Sequence, residues 1–248
     1  MTEQREAYRV QGSPPAKEKN IMKKLGVIGG VGPGTTAEFY LKIVFDCQEC
    51  NKEHRPNIII SSVPSPYQVE RDIILENKNG FTPLLVAEAK RLQKAGADFI
   101  VMPCNTLHCD IKHIRRGVKV PVISIVEETI NYIKKNKFKK VGLMATMATV
   151  KRKVYSEIMK EQGIDFVLPS RKEQTQLNEI IIRLISGQYL DSDRDIIYSV
   201  IDSLKKQGAD CIALACTDLQ LLKPVRQDIP VFDTMSILAD AAIEGVLK

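Results

Sequence analysis

Cys104 and Cys216 end two copies of one pattern. Gln93-Lys-Ala-Gly-Ala-Asp-Phe-Ile-Val-Met-Pro-Cys104 aligns with Lys205-Lys-Gln-Gly-Ala-Asp-Cys-Ile-Ala-Leu-Ala-Cys216, matching Lys94 with Lys206, Gly96 with Gly208, Ala97 with Ala209, Asp98 with Asp210 and Ile100 with Ile212. Each cysteine follows an apolar run and precedes a polar pair, Asn105-Thr106 or Thr217-Asp218. Free cysteine is among the most buried residue types, so two core positions are the plain alternative. The polar residues that follow argue instead for strand ends opening into a cleft. Two thiols facing each other there could invert a stereocentre, one removing a proton as thiolate and the other delivering one as thiol. A reference pKa of about 8.5 leaves both forms accessible near neutrality. The starts of helices after each cysteine would stabilise the thiolate through backbone N–H groups.

Other constellations compete for attention. Gly29-Gly-Val31-Gly-Pro-Gly-Thr-Thr36 could present backbone N–H groups to a carboxylate, with Val31 at its centre. It lacks the lysine of a Walker A loop and the G-x-G-x-x-G spacing, and a tight βα turn explains its glycines equally well. Cys47, Cys50 and His54, and likewise Cys104, His108, Cys109 and His113, invite a zinc reading, but neither set completes two ligand pairs at finger-like spacing. Helix-packing or surface roles suit Cys47, Cys50 and Cys109, and Cys211 reads as core. His108 is either an ordinary helix residue or a hydrogen-bonding neighbour of the first thiol.

The elements that must position the cysteines alternate in type. Strands are expected at Leu25–Gly29, Ile58–Val63, Phe99–Met102, Val120–Val126, Val141–Ala145, Asp165–Leu168, Cys211–Ala215 and Pro230–Phe232, with amphipathic helices between them. Thr82 is expected to cap a helix with Pro83 at its first position and Leu85, Ala89 and Leu92 on one face. Ile197, Val200, Ile201 and Leu204 repeat that spacing. The repeat extends further, pairing Lys23-Lys-Leu-Gly26 with Lys139-Lys-Val-Gly142 and Pro121-Val with Pro230-Val. Four strands thus recur as four strands, in order. This predicts an α/β protein of two pseudo-symmetric lobes, each a parallel four-stranded sheet flanked by helices, with ligands between the carboxyl ends of the strands.

Composition agrees with a soluble globular chain: 248 residues, 44% hydrophobic and 27% charged. No long apolar segment suggests a membrane span or secretory signal, so a cytoplasmic location is expected, where six cysteines would stay reduced. The net charge of +6 is spread along the chain. Its densest cluster, Lys134 to Lys140, falls at an expected helix end, so nucleic-acid binding is not expected. Residues 1–20 carry no apolar periodicity and read as a flexible extension.

At the quoted motifs the chain resembles the aspartate/glutamate racemase family, from Lys23 to Lys248. Gly29-Gly-Val-Gly-Pro33 looks like the family's glycine-rich opening. Pro103-Cys-Asn-Thr106 with His108 looks like the first catalytic motif. Ala215-Cys-Thr-Asp218 stands where the second usually reads Gly-Cys-Thr-Glu. The resemblance implies pyridoxal-independent racemisation of an amino acid by Cys104 and Cys216, with no cofactor, no metal and frequently a homodimer. It also implies substrate contacts from Asn105, Thr106 and Thr217, and from Thr146 and Thr149 in Met144-Ala-Thr-Met-Ala-Thr149. The C-terminal helix is expected to return to the first lobe, giving residues 21–121 plus 234–248 as one lobe and 122–233 as the other. In aspartate-specific members an Arg and a Lys hold the side-chain carboxylate. Counting along this chain puts uncharged Gln68 and Ser186 there, with Arg71 nearby as a possible replacement. Aspartate or glutamate is the first substrate reading. A broad or neutral specificity, a related dicarboxylate isomerase or decarboxylase, and an inactive binding protein are the alternatives.

Overall fold

A computed structural model describes residues 22–65, 68, 71–72 and 80–248. The proposed extension, residues 1–20, lies outside them. Within the first half, strands β1 (Leu25–Gly29), β2 (Ile58–Ser62) and β3 (Phe99–Val101) form a parallel sheet in the order β2-β1-β3, with helix α1 (Pro33–Cys50) following β1 and α2 (Thr82–Lys94) preceding β3. A 3-10 turn (Thr106–Asp110), α3 (Ile111–Gly117) and α4 (Ile125–Lys135) lead into the second half. There β4 (Lys140–Met144), α5 (Met147–Lys151), α6 (Ser156–Glu161), β5 (Asp165–Val167), α7 (Arg171–Ile185), α8 (Asp191–Lys206), β6 (Cys211–Leu214), a second 3-10 turn (Thr217–Leu222), β7 (Val231–Asp233) and α9 (Thr234–Leu247) follow. The second sheet is parallel in the order β5-β4-β6-β7.

The repeat in the sequence is a repeat in space. Gly26 pairs with Ile100 and Gly142 with Ile212 at matching positions of the central strands. A Cβ on Gly26 would lie 2.9 Å from Ala97 Cβ and 3.3 Å from Leu92 Cβ; one on Gly142 would lie 3.1 Å from Leu204 Cβ and 3.3 Å from Ala209 Cβ. Both glycines therefore let the preceding helix settle directly onto its sheet. Asp98 accepts from the Lys24 N–H at 2.6 Å and Asp210 from the Lys139 N–H at 2.7 Å, closing the two lower ends alike.

The symmetry fails at the fourth strand. Val122 makes one bridge to Ile100, where its counterpart Val231 lies in β7 beside Ile212. The expected strand over Val120–Val126 stops because Ser124 caps α4, its hydroxyl accepting from the Glu127 N–H, and Glu127 and Glu128 in the first turn suit the helix dipole. The first sheet consequently has three strands among the described residues. Thr82 is also not the expected cap. It begins α2 itself, and its hydroxyl donates to Asp110 at 2.8 Å.

Alternation along the strands divides the core. Leu25, Val27, Phe99 and Val101 point inward, as do Val141, Leu143, Cys211 and Ala213, and all meet α1, α4 and α9 in one shared core. Ile28, Ile100 and Met102 face α2 on the outside; Met144, Ile212 and Leu214 face α7 and α8. The C-terminal helix packs on α1 and α4, and the Lys23 N–H donates to Val246 O at 3.0 Å. No described helix is long and apolar enough to cross a membrane.

Gly26→Ala is expected to destabilise the protein by about 1–3 kcal/mol, because the obstructing Ala97 Cβ cannot rotate away. The stiffer unfolded chain returns only about 0.4–1 kcal/mol. Urea denaturation checks this; an unchanged midpoint would mean the strand and helix separate at no cost.

Candidate active site

β3 and β6 each deliver a cysteine just beyond their last paired residue, and a 3-10 turn begins immediately afterwards. Cys104 is partly exposed and Cys216 is buried, and both line one cavity of about 30 Å³. That volume holds little more than a water molecule. Val31 from the glycine loop, Asn105 and Thr106, Thr146 and Thr217 share the lining. These expected site residues are thus brought together from both halves of the chain.

Polar contacts between the halves surround the cavity. The Thr217 hydroxyl donates to Pro103 O at 3.1 Å, and the Thr35 hydroxyl donates to Asp218 at 2.7 Å. The hydroxyls of Thr106, Thr146 and Thr149 lie within 3.0 Å of one another. Thr149 stands behind the lining rather than in it and donates its N–H to the Thr146 hydroxyl that caps α5. Three O–H donors pooled in this way can be redirected together toward an anion's acceptor oxygens. Asn105 is held at both ends: Tyr155 Oη donates to its Oδ1, and its Nδ2 donates to the Thr234 hydroxyl at 2.9 Å. The Thr234 hydroxyl in turn donates to Leu214 O in β6 at 3.1 Å.

Both thiols are harder to ionise here than the sequence suggests. Burial pushes Cys104 up to about 12, and it pushes Cys216 well above its ordinary value, with the Asp218 charge adding to both. Opposing this are the N–H groups of Thr106 and Leu107 around Cys104, and of Asp218 and Leu219 around Cys216. The expected backbone donors are therefore present at equivalent positions, but in the closed cavity dehydration outweighs them.

Three expected side-chain ligands stand elsewhere. Gln68 and Arg71 are exposed and outside the lining, and Gln68 donates to Asp72 at 2.8 Å. Ser186 is exposed, with its hydroxyl turned back to Ile182 O; Ile185 reaches the cavity instead. One residue is 100° of helix rotation, so an ungapped count that errs by one selects a different face. Leu107, Ile185 and Asp218 line the cavity without having been expected there, and Tyr155, Thr35 and Thr234 support it. The repeat could have found Asp218, which stands two residues after its cysteine as Thr106 does. Among the described residues no three His, Cys, Asp or Glu side chains converge as metal ligands. Cys47 and Cys211 are core, Cys50 and His54 are exposed, and Cys109 accepts from Arg152 at 2.9 Å.

His108 is the hydrogen-bonded neighbour of the first thiol. Its Nε2 accepts from the Ile125 N–H at 3.1 Å, so Nδ1 carries the proton and donates to Cys104 O at 2.7 Å. Burial, reinforced by Arg115, lowers its pKa to about 4 despite the Cys104 carbonyl. The unfolded chain, titrating near 6.5, takes up this proton first. Stability is therefore full above about pH 6.5 and falls toward pH 4, by about 3 kcal/mol. His108→Gln is expected to flatten that slope in denaturant titrations across the window; an unaltered slope would show that His108 takes up its proton alike in the folded and unfolded chain.

Comparison with known proteins agrees with this geometry. The family model for Asp/Glu/Hydantoin racemase matches residues 28–242. The broad specificity amino-acid racemase RacX of Bacillus subtilis is 28% identical over 228 residues, covering 90% of this chain and 98% of that protein. The aspartate racemase structure from Picrophilus torridus superposes with a TM-score of 0.74 at 26% identity, covering 90% of this chain and 94% of its own. An aspartate racemase homologue from Pyrococcus horikoshii gives 0.73 at 29% identity, covering 92% and 100%. Two repeated strand-end cysteines on one cavity, a matching two-sheet fold and a family model spanning both halves lead to one conclusion: the chain belongs to the Asp/Glu/Hydantoin racemase family and is an isomerase.

Proposed function

We propose that this protein racemises amino acids without a cofactor, Cys104 and Cys216 acting on opposite faces of the substrate Cα. The observation that carries the reading is the pair of repeat-equivalent thiols lining one cavity, each with backbone N–H groups directed at its sulfur. The 30 Å³ cavity is smaller than an amino acid, so the residues lining it have to move apart to admit one. Opening hydrates the sulfurs and removes the burial penalty, and one thiol then loses its proton to solvent. On closure that thiolate takes the Cα proton, breaking C–H and forming S–H. The opposite thiol gives its proton to the other face, breaking S–H and forming C–H. The enzyme is left with the two protonation states exchanged, ready for the reverse reaction.

The resemblance implies that Asn105, Thr106 and Thr217 contact the α-carboxylate or amino group; we place the α-carboxylate against these side chains and the Thr146 hydroxyl, with Thr149 supporting the Thr106 and Thr146 hydroxyls from behind. For the side chain, no lysine or arginine lines the cavity among the described residues. A buried carboxylate without a cationic partner is costly, whereas a charge-assisted hydrogen bond contributes about 1.5–3 kcal/mol. The full-length match to a broad-specificity racemase supports the same preference. We therefore favour a broad or neutral substrate range over aspartate and glutamate. A reducing cytoplasm would keep all six free thiols in that form. Apolar surface left exposed by Tyr40, Leu41 and Phe45 on α1 supports a homodimer, which sedimentation equilibrium should reveal as twice the chain mass.

Cys104→Ala and Cys216→Ala should each lower racemisation by at least about 10³-fold, since each deletes one of two required proton carriers. Each variant should still eliminate a good β-leaving group from one enantiomer, which needs a single base. The measurement is α-deuterium exchange and chiral chromatography over a panel of L- and D-amino acids. Racemisation near the wild-type rate in Cys104→Ala, or inactivation by EDTA reversed with zinc, would overturn the mechanism.

A further inference from the structure

Three aliphatic side chains line the cavity between the thiols, and they differ in what lies behind them. Leu107 is buried in the outer core of the first half, and Val31 packs against that core. Ile185, half-buried at the end of α7, backs instead onto open space. It lines both the 30 Å³ cavity and a second pocket of about 290 Å³, and among the described lining residues it is the one they share. Ordinary small-molecule sites begin at about 300 Å³.

The second pocket is built as the first is, from both halves of the chain. Pro33 and Gly34 come from the start of α1, facing Leu221 and Leu222 of the second 3-10 turn and Leu184 of α7. Leu184 and Leu222 are buried, so the deep part is apolar; the polar members, Gln188 and Arg194, are exposed residues at the solvent edge. Tyr189 adds an aromatic wall on the α7–α8 connection. That connection is pinned by Asp193, fully buried, which accepts from Arg183 Nε at 3.2 Å, from Arg183 Nη2 and from the Leu190 N–H at 2.9 Å.

A substrate Cα between the thiols, with its α-carboxylate against the Thr106 and Thr146 hydroxyls, needs room for its side chain beyond the cavity lining. We propose that this side chain passes Ile185 into the second pocket, and that long uncharged aliphatic side chains are thereby favoured over short and acidic ones. The proposal rests on the racemase reading and deepens it by naming a substrate class. Each methylene moved from water into apolar contact strengthens binding about fourfold. Norleucine, three methylenes longer than alanine, should therefore bind at least tenfold more tightly. A glutamate carboxylate on the same path would be dehydrated among leucines before it reached the solvent edge. The competing account is a surface depression without a ligand, Ile185 merely closing the cavity.

Isothermal titration of L-alanine, L-norleucine and L-glutamate separates the two accounts without needing turnover. Gly34 offers a way to fill the pocket: it lies in the first turn of α1, and a Cβ there meets only Leu221 Cδ1, at 3.6 Å. Gly34→Leu should lower the norleucine-to-alanine affinity ratio at least tenfold. Tyr189→Ala truncates a side chain that is 65% exposed, so the fold tolerates it, and should lower the same ratio about threefold or more. If Gly34→Leu does not fold, Tyr189→Ala decides. Absence of norleucine binding to the wild type, alanine or glutamate binding as tightly as norleucine, or a ratio unmoved in the folded variants would each overturn the proposal. Binding that depends on chain length and on Gly34, without α-deuterium exchange in any of these amino acids, would instead overturn racemisation alone.

Discussion

The side-chain amide of Asn105 joins the two halves of the molecule. It follows the first cysteine, yet its oxygen is held by Tyr155 of the second half and its nitrogen by Thr234 at the start of the C-terminal helix. Tyr155, Asn105 and Thr234 are all buried, so each hydrogen bond is made in surroundings where leaving a partner unpaired costs about 1–3 kcal/mol. The loop carrying Cys104 is thereby referenced to the sheet carrying Cys216. Thr217 on Pro103 and Thr35 on Asp218 repeat the device from the opposite direction.

Around this joint the apolar core does the coarser positioning. Inner faces of both sheets share α1, α4 and α9, so the halves are not separate globules that merely touch. Sharing a core places the carboxyl ends of both sheets at one cavity, and dehydration of that cavity then sets its chemistry. Burial raises both thiols and lowers His108, all in the direction of the neutral form. In the closed cavity both thiols and His108 are therefore held in their neutral forms.

Much of this was legible in the residues themselves. The repeat around Gly96-Ala-Asp98 and Gly208-Ala-Asp210 revealed two equivalent strand ends because the backbone demands there are the same: a left-handed glycine at φ 88° in both, then an aspartate accepting an N–H from the residue just before the neighbouring strand. The polar pairs after each cysteine correctly signalled that the strands stop. Resemblance supplied the threonines at 146 and 149, which no periodicity marks.

By itself, then, the sequence determined local conformation and pairwise equivalence: where strands and helices alternate, which glycines turn, and which two thiols correspond. Those properties depend on side-chain pattern and allowed dihedrals within a few residues. Tertiary structure decided which helix face meets the cavity, so that Ile185 rather than Ser186 lines it, and it brought Asp218 beside Thr35 across 183 positions of chain. It also decided that the thiols rest protonated, because a pKa answers to the water removed by every neighbouring element. The shortened fourth strand was read from its apolar run as extending over Val120–Val126, and only the structure, with Ser124 capping α4 and α4 packed into the shared core, let the helix prevail over the strand.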